Sequence, residues 1–309
     1  MPDFGTRLSA AVARCRNPVL VGLDPRWESL PSSLTVGRQA GRLEDHAQAY
    51  EEFCRGIIDV VRGLVPAIKP QAAFFEELGP PGMIALAETI RYARAAGLLV
   101  ILDGKRNDIG STAAAYARAY LGSPPRSAWG ADALTVSPYL GGDSLEPFVA
   151  RCRDEDSGIF ILVKTSNPGG GLFQDLVADG RHLYEHVADY VAGLAAATVT
   201  RPGDLSCVGA VVGATYPAQL AALRQRMPHC WLLVPGYGAQ GGAAADVAGA
   251  FHSHGLGALI NNSRGIIFAY EKGIWRERYG AARWQDAVEA ATRDMIDQLR
   301  AQTPAGQLA

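Results

Sequence analysis

Asp103, Lys105 and Asp108 stand within six residues of one another, with Arg106 between them, directly after the apolar run Val100-Ile101-Leu102. Carboxylates beside an ammonium keep it charged. A fixed ammonium can stabilise a carbanion as it develops and then protonate it. Charge at the end of a buried strand is costly unless it is paired or used. A pair about 4 Å apart gains about 4 kcal/mol at intermediate dielectric, which must offset desolvation. Pairing Asp103 with Lys105 therefore makes the cluster tolerable without explaining why it is there. Residues two apart on a strand share a face, so an inward Ile101 places Asp103 and Lys105 inward too. Gly104 between them lets the backbone turn or approach a ligand. Asp108 falls at the start of the next helix, where a carboxylate suits the dipole and can act simply as a cap. Arg106 has no assigned role beyond a surface or interface position.

Other chemistry-bearing residues also follow short apolar runs: Asp24, Lys69, Ser137, Ser166, the turn at 213–215, Pro235 and Arg264. Taken singly, each reads as a solvated loop residue; aimed at one mouth, they read as a site. Residues 236–241, GYGAQG, match G-x-G-x-x-G between a strand and a helix. The acid expected about 20 residues further on for a dinucleotide is missing. Backbone N–H groups of such a turn can instead hold a phosphate monoester. Gln240 adds a donor and Arg264 a bidentate grip.

The elements that position these residues form a rhythm. Eight apolar runs, at 18–24, 64–70, 98–105, 131–138, 159–166, 207–214, 230–236 and 257–264, lack alternation. That is how parallel strands covered on both faces read. Helical patterns follow them at 46–64, 82–97, 108–122, 144–158, 182–197, 217–227, 244–255 and 284–302. Strict alternation implies right-handed crossovers, and eight units in 309 residues imply a single-domain (β/α)8 TIM barrel, with an open doubly wound sheet as the alternative. An N-terminal helix precedes the barrel. The extended segment near 25–45 and the stretch 165–180 are loops long enough to act as covers. In a barrel the working residues sit at the C-terminal strand ends, with phosphate at the loops after strands seven and eight.

Composition excludes several classes. The net charge of −2 offers no field for nucleic acid or an anionic membrane. The apolar runs are too short and interrupted to span a bilayer, and the N-terminus does not read as a signal peptide. Five cysteines without a CxxC pair fit reduced thiols in the cytoplasm. His252 and His254, near the end of the 244–255 helix, fit a solvated helix end better than a metal site.

Together these residues resemble the orotidine 5'-phosphate decarboxylase family, in its longer bacterial, type 2 form. The resemblance runs from about Asp24 to Arg264. It rests on D-x-K-x-x-D (Asp103, Lys105, Asp108) followed by Ile109, Gly110, Ser111 and Thr112. VGLDP with Asp24, IKPQ with Lys69, TSNPG with Ser166, PGYGAQGG with Pro235 and Gln240, and SRG with Arg264 complete it. The sequence departs from the family pattern at Asn107 and Ser263, where glycines are common.

The resemblance implies conversion of orotidine 5'-phosphate to UMP and CO2 in pyrimidine biosynthesis, without cofactor or metal. Lys105 would be the proton donor and Asp103 would lie beside the substrate carboxylate. Asp108 would reach into the neighbouring subunit's site in a homodimer, and Thr112 of that partner chain would touch the ribose. Asp24 and Lys69 would hold ribose hydroxyls and the charge network. Ser166 would read the pyrimidine. Gln240 and Arg264 would hold the 5'-phosphate under a closing 235–242 loop. Two other readings remain at this point: a Mg2+-dependent phosphosugar decarboxylase or synthase of the same superfamily, which needs an added acid where Lys69 stands, and a barrel that binds nucleotides without catalysis.

Overall fold

The computed structural model describes residues 2–201, 203–238 and 243–308. Eight parallel strands close into a barrel: β1 (Val19–Leu23), β2 (Ala67–Pro70), β3 (Leu99–Arg106), β4 (Ala133–Val136), β5 (Gly158–Lys164), β6 (Val208–Val212), β7 (Leu232–Val234) and β8 (Ala258–Asn262). Each strand pairs with its neighbours in sequence, and β8 closes onto β1. Six lie within the runs identified from the sequence and two, β3 and β5, exceed theirs by one residue; the open-sheet alternative is excluded by the β1–β8 pairing.

The strands are apolar on both faces because both faces are covered. Helices α2 (Leu43–Val61), α3 (Gly79–Ala95), α4 (Gly110–Tyr120), α5 (Gly142–Asp154), α6 (Leu183–Ala196), α7 (Pro217–Arg226) and α8 (Trp284–Gln302) surround the barrel. They follow α1 (Phe4–Cys15) in the chain. Helix α2 starts at Leu43, earlier than the sequence suggests, with Glu44 and Asp45 in its first turn, where acids suit the dipole.

Two expectations need correction. The 244–255 segment is no α-helix: it is a 3-10 helix, Ala245–Ala250, that breaks into extended backbone at Phe251. Gly249 weakens helix propensity and approaches Ala221 so closely that an added Cβ would lie 2.7 Å from the Ala221 Cβ. His252 and His254 therefore lie in the turn that follows this 3-10 helix, and their rings stack at 5.3 Å. The 165–180 stretch is also more than a loop. It holds a short helix, Gly171–Gln174, and leads into a small antiparallel hairpin, Val177–Ala178 with Arg181–His182.

Helix α1 closes the barrel at the N-terminal strand ends. Asp3 caps it, accepting from the Thr6 N–H at 2.9 Å. Phe4 inserts beneath the barrel and meets Phe160 edge-to-face at 6.1 Å. Gly158 makes room: a Cβ there would lie 2.2 Å from the Phe4 ring. Arg7 fixes the helix with a 2.8 Å bond to buried Asp132. The opposite, C-terminal end of the barrel stays open to a polar cavity.

Candidate active site

The β-sheet register brings the charged strand ends together. Lys69 on β2 pairs opposite Gly22 on β1, and Gln71 bridges to Asp103 at the end of β3. Four donors converge on the Asp103 carboxylate. Lys105 Nζ at 2.7 Å and Thr135 Oγ1 at 2.8 Å donate to Oδ1. Lys69 Nζ at 2.9 Å and Gln71 Nε2 at 3.0 Å donate to Oδ2. Burial by itself would raise the Asp103 pKa, but the two ammonium groups override it and hold the carboxyl well below the usual range. Burial disfavours charge on Lys69 as well, and Asp103 and Asp24 more than reverse that, so its pKa is raised. The Lys69 side chain is almost fully enclosed, whereas that of Lys105 remains 48% exposed.

Lys105 does not reach Asp103 by simple strand alternation. The β3–β4 register shifts between Leu102 and Arg106, as in a β-bulge. Lys105 sits in left-handed backbone at φ 44°, while Gly104, expected to provide the turn, does not. The bulge is held from outside by Arg106. Its guanidinium donates to the Gly104 carbonyl at 2.8 Å, pairs with Glu76 and lies over the Tyr120 ring at 5.3 Å. Arg106 thus has a structural role that the sequence did not reveal.

Two adjoining cavities open above this network. The first, about 230 Å3, is lined by Lys69, Asp103, Lys105, Thr135, Ser166 and Pro235, among others. The second, about 190 Å3, adds Asp24, Asn262, Ser263 and Arg264 and shares Lys69, Asp103, Pro235 and Asn261 with the first. Asp24 Oδ1 and Asn261 Oδ1 are buried acceptors without a hydrogen-bond partner among the described residues. Buried acceptors call for donors, and hydroxyls of a bound sugar are donors of the right kind. Arg264 opens a short helix, Arg264–Ile267, and forms no ion pair among the described residues. Gly236 and Gly238 adopt φ values of 101° and 70°, so this turn requires glycine.

Ser166 is held by its surroundings. Gly213 lets it pack close: a Cβ at 213 would lie 2.8 Å from the Ser166 Cβ. Gln174 brackets the adjacent Thr165, accepting from its N–H at 3.0 Å and donating to its hydroxyl at 2.8 Å. Lys164, buried beneath the loop, pairs with Asp175 and lies 5.1 Å from the Tyr184 ring centre.

Of the residues expected in the site, Asp24, Lys69, Asp103, Lys105, Ser166, Pro235 and Arg264 line these cavities. Asp108 and Thr112 do not. Asp108 is also not the cap of α4: that position is Ile109, and among the described residues Asp108 accepts only from the Ile109 N–H, at 2.8 Å. Within one chain Lys105 pairs with Asp103, and no pair joins it to Asp108. Gln240 lies outside the described residues. Thr135, Gln71 and Asn261 were not singled out from the sequence. Their signal was a polar residue at or just beyond the end of an otherwise apolar strand, as in ALTV and ALINN.

Among the described residues no cluster of three or more His, Cys, Asp or Glu side chains is arranged to hold a metal ion. At the second-strand end, where a metal-dependent relative needs an acid, the Lys69 ammonium occupies one oxygen of Asp103 and Lys105 the other.

Known proteins resemble this chain in sequence and in fold. The profile of the orotidine 5'-phosphate decarboxylase / HUMPS family matches residues 17–274. An orotidine 5'-phosphate decarboxylase of Rhodopirellula baltica is 56% identical over 302 residues, covering 97% of this chain and 100% of its own. That of Deinococcus radiodurans is 42% identical, covering 94% and 98%. The solved structure of Leishmania donovani OMP decarboxylase superposes with a TM-score of 0.73 at 34% identity, covering 97% of this chain and 98% of its own. Leishmania donovani UMP synthase superposes at 0.75 and 37% identity, with this chain spanning 57% of its length. By sequence, fold and the charge network at the barrel mouth, the chain belongs to the orotidine 5'-phosphate decarboxylase family.

Proposed function

We propose that the protein is a carboxy-lyase that converts orotidine 5'-phosphate to UMP and CO2. The observation that carries this reading is the Asp103 carboxylate clamped between Lys69 and Lys105 at the floor of the open cavity. Breaking the bond from C6 to the carboxyl carbon releases CO2 and leaves an electron pair on C6. The Lys105 ammonium stabilises that charge as it develops and then gives C6 a proton. Asp103 faces the departing carboxylate, and their repulsion is relieved as CO2 leaves. In this reading the Lys105 ammonium is the positive charge that meets the developing pair.

The remaining assignments follow the cavities. Asp24 and Asn261 accept from ribose hydroxyls, with Lys69 beside them. Ser166 and the backbone around it read the pyrimidine, next to Pro235. Arg264 grips the 5'-phosphate, aided by Gln240. Phosphate binding lies far from C6, and its energy can drive closure of the 235–242 loop and exclude water.

The active form in this reading is a homodimer. Asp108 and Thr112 lie outside their own chain's cavities and complete the site of the partner. An apolar hollow of about 510 Å3, lined in part by Pro138, Tyr139, Phe173 and Leu183, supports such an interface. Tyr139 is 80% exposed in the single chain, as a residue awaiting a partner surface would be. Five free cysteines, four of them buried, support a cytoplasmic setting; no described helix is long and apolar enough to cross a membrane.

The test is the loss of orotidine 5'-phosphate absorbance. Turnover is expected at full rate in EDTA and is expected to vanish in Lys105→Ala while UMP still binds. Near-wild-type turnover in that variant, or loss of activity in EDTA, overturns the reading.

A further inference from the structure

The Thr135 hydroxyl is one atom with two jobs. It donates to Asp103 Oδ1 at 2.8 Å and accepts from the backbone N–H of Lys105 at 2.9 Å. A hydroxyl offers one hydrogen and two lone pairs, so both bonds form together. Thr135 is itself buried, 1% exposed, on the inward side of β4.

The second bond follows from the bulge. The β3–β4 ladder is regular at Ile101–Ala133 and Leu102–Leu134 and resumes at Arg106–Val136, where the Ser137 N–H donates to the Arg106 carbonyl. Between these points the Lys105 N–H has lost its strand partner. The partly shielded Lys105 N–H finds its partner in the Thr135 side chain, which stands where a ladder carbonyl would. The residue whose amide it holds is the one in left-handed backbone, φ 44°, which non-glycine residues rarely adopt. Such a conformation persists only where its surroundings over-determine it. Thr135 provides that from within the barrel, and Arg106 from outside through the Gly104 carbonyl.

We infer that Thr135 is a positioning residue: its hydroxyl fixes the bulge so that the Lys105 ammonium stands over the cavity in register with Asp103. It touches the proton donor's backbone and the carboxylate's oxygen, and acts through both. The β-branched side chain, stiff at χ1, suits a hydroxyl that must hold one direction. This role rests on Lys105 being the proton donor.

The experiment compares Thr135→Val, which keeps the shape and removes both bonds, with Thr135→Ser, which keeps the hydroxyl. In Thr135→Val, kcat is expected to fall on the order of 10–100-fold, as for loss of a hydrogen bond to a charged group. KM for orotidine 5'-phosphate and affinity for UMP are expected to stay within about threefold, because the binding groups are untouched. Thr135→Ser is expected to recover turnover to within about threefold of wild type. If Thr135→Val does not fold, Thr135→Cys, similar in size and a much weaker hydrogen-bonding group, takes its place. Wild-type kcat in the variant, kcat and KM shifting together, or no rescue by serine would each overturn the role. Lys105→Ala measured alongside separates this from the functional reading: wild-type turnover there removes the donor assignment, whereas wild-type turnover in Thr135→Val removes only Thr135.

Discussion

Lys69 Nζ lies 2.9 Å from Asp103 Oδ2, joining the ends of neighbouring strands β2 and β3 inside the barrel mouth. The pair is buried, and each partner's charge depends on the other. Breaking such a pair on one side leaves an uncompensated charge, so Lys69→Met is expected to destabilise the fold by about 3 kcal/mol at pH 7. Its pH dependence has a definite sign. Asp103 has a depressed folded pKa, so its contribution is complete above the unfolded value of about 3.9 and is lost as pH falls through the folded one. Lys69 has a raised folded pKa, so its contribution is complete below about 10.4 and is lost as pH rises through the folded one. Urea denaturation of wild type and Lys69→Met should therefore show the same deficit at pH 5, 7 and 9. A deficit that shrinks between pH 7 and 5 would contradict the pairing.

Asp108 is proposed to act in the other chain's site, and subunit mixing tests it. Lys105→Ala and Asp108→Ala are each expected to be inactive as homodimers. A mixed dimer carries one doubly altered site and one intact site. Unfolding and refolding an equimolar mixture is expected to recover about a quarter of wild-type activity, from random C2 pairing. No recovery, with mixed dimers demonstrated by mass, would place Asp108 in its own chain's site, and an active Asp108→Ala homodimer would place it outside any site.

Gly22 and Ser263 occupy one space. An added Cβ at 22 would lie 1.9 Å from Ser263 Oγ and 2.8 Å from its Cβ. Gly22→Ala is expected to destabilise by about 2 kcal/mol through overpacking of a buried strand beside the site. Ser263→Gly alone should be nearly silent, and the double variant should return most of the loss. Thermal or urea unfolding of the four proteins gives the coupling directly. Additive losses would show that the two side chains do not compete.

His252 is half-buried, and burial first, then the Arg224 guanidinium and His254, push its pKa down to about 4. Its protonated form is disfavoured in the fold, so the unfolded chain binds more protons between about pH 6.5 and pH 4. Stability supplied by neutral His252 is complete above the unfolded pKa and is lost as pH falls through this window. Denaturation midpoints of wild type should decline from pH 7 to 4, and His252→Gln should flatten that decline. Parallel curves for the two proteins would rule the effect out.

The sequence by itself determined eight alternating strand and helix units; that the sheet closes was decided by the pairing of β8 with β1. Uninterrupted apolar strands read as covered on both faces, and eight of them alternating with helices favour a closed parallel barrel over an open doubly wound sheet. It also identified part of the mouth, since strand ends such as Asp24, Lys69 and Arg264 need no side-chain detail to be placed, while Thr135, Gln71 and Asn261 went unmarked. The 3-10 form of 245–250 and the hairpin near 180 were not legible, because close packing at Gly249 and pairing of two-residue strands arise only between segments.

What the tertiary structure alone decided is how Lys105 reaches its place. Alternation predicted an inward lysine two residues after Asp103, with Gly104 as the flexible point. The chain instead bulges, Lys105 takes the left-handed backbone, and Thr135, Arg106 and Glu76 hold it there. Those partners come from β4, from β3 itself and from the segment after β2. A bulge is a mismatch between two strands, and neither strand records it alone.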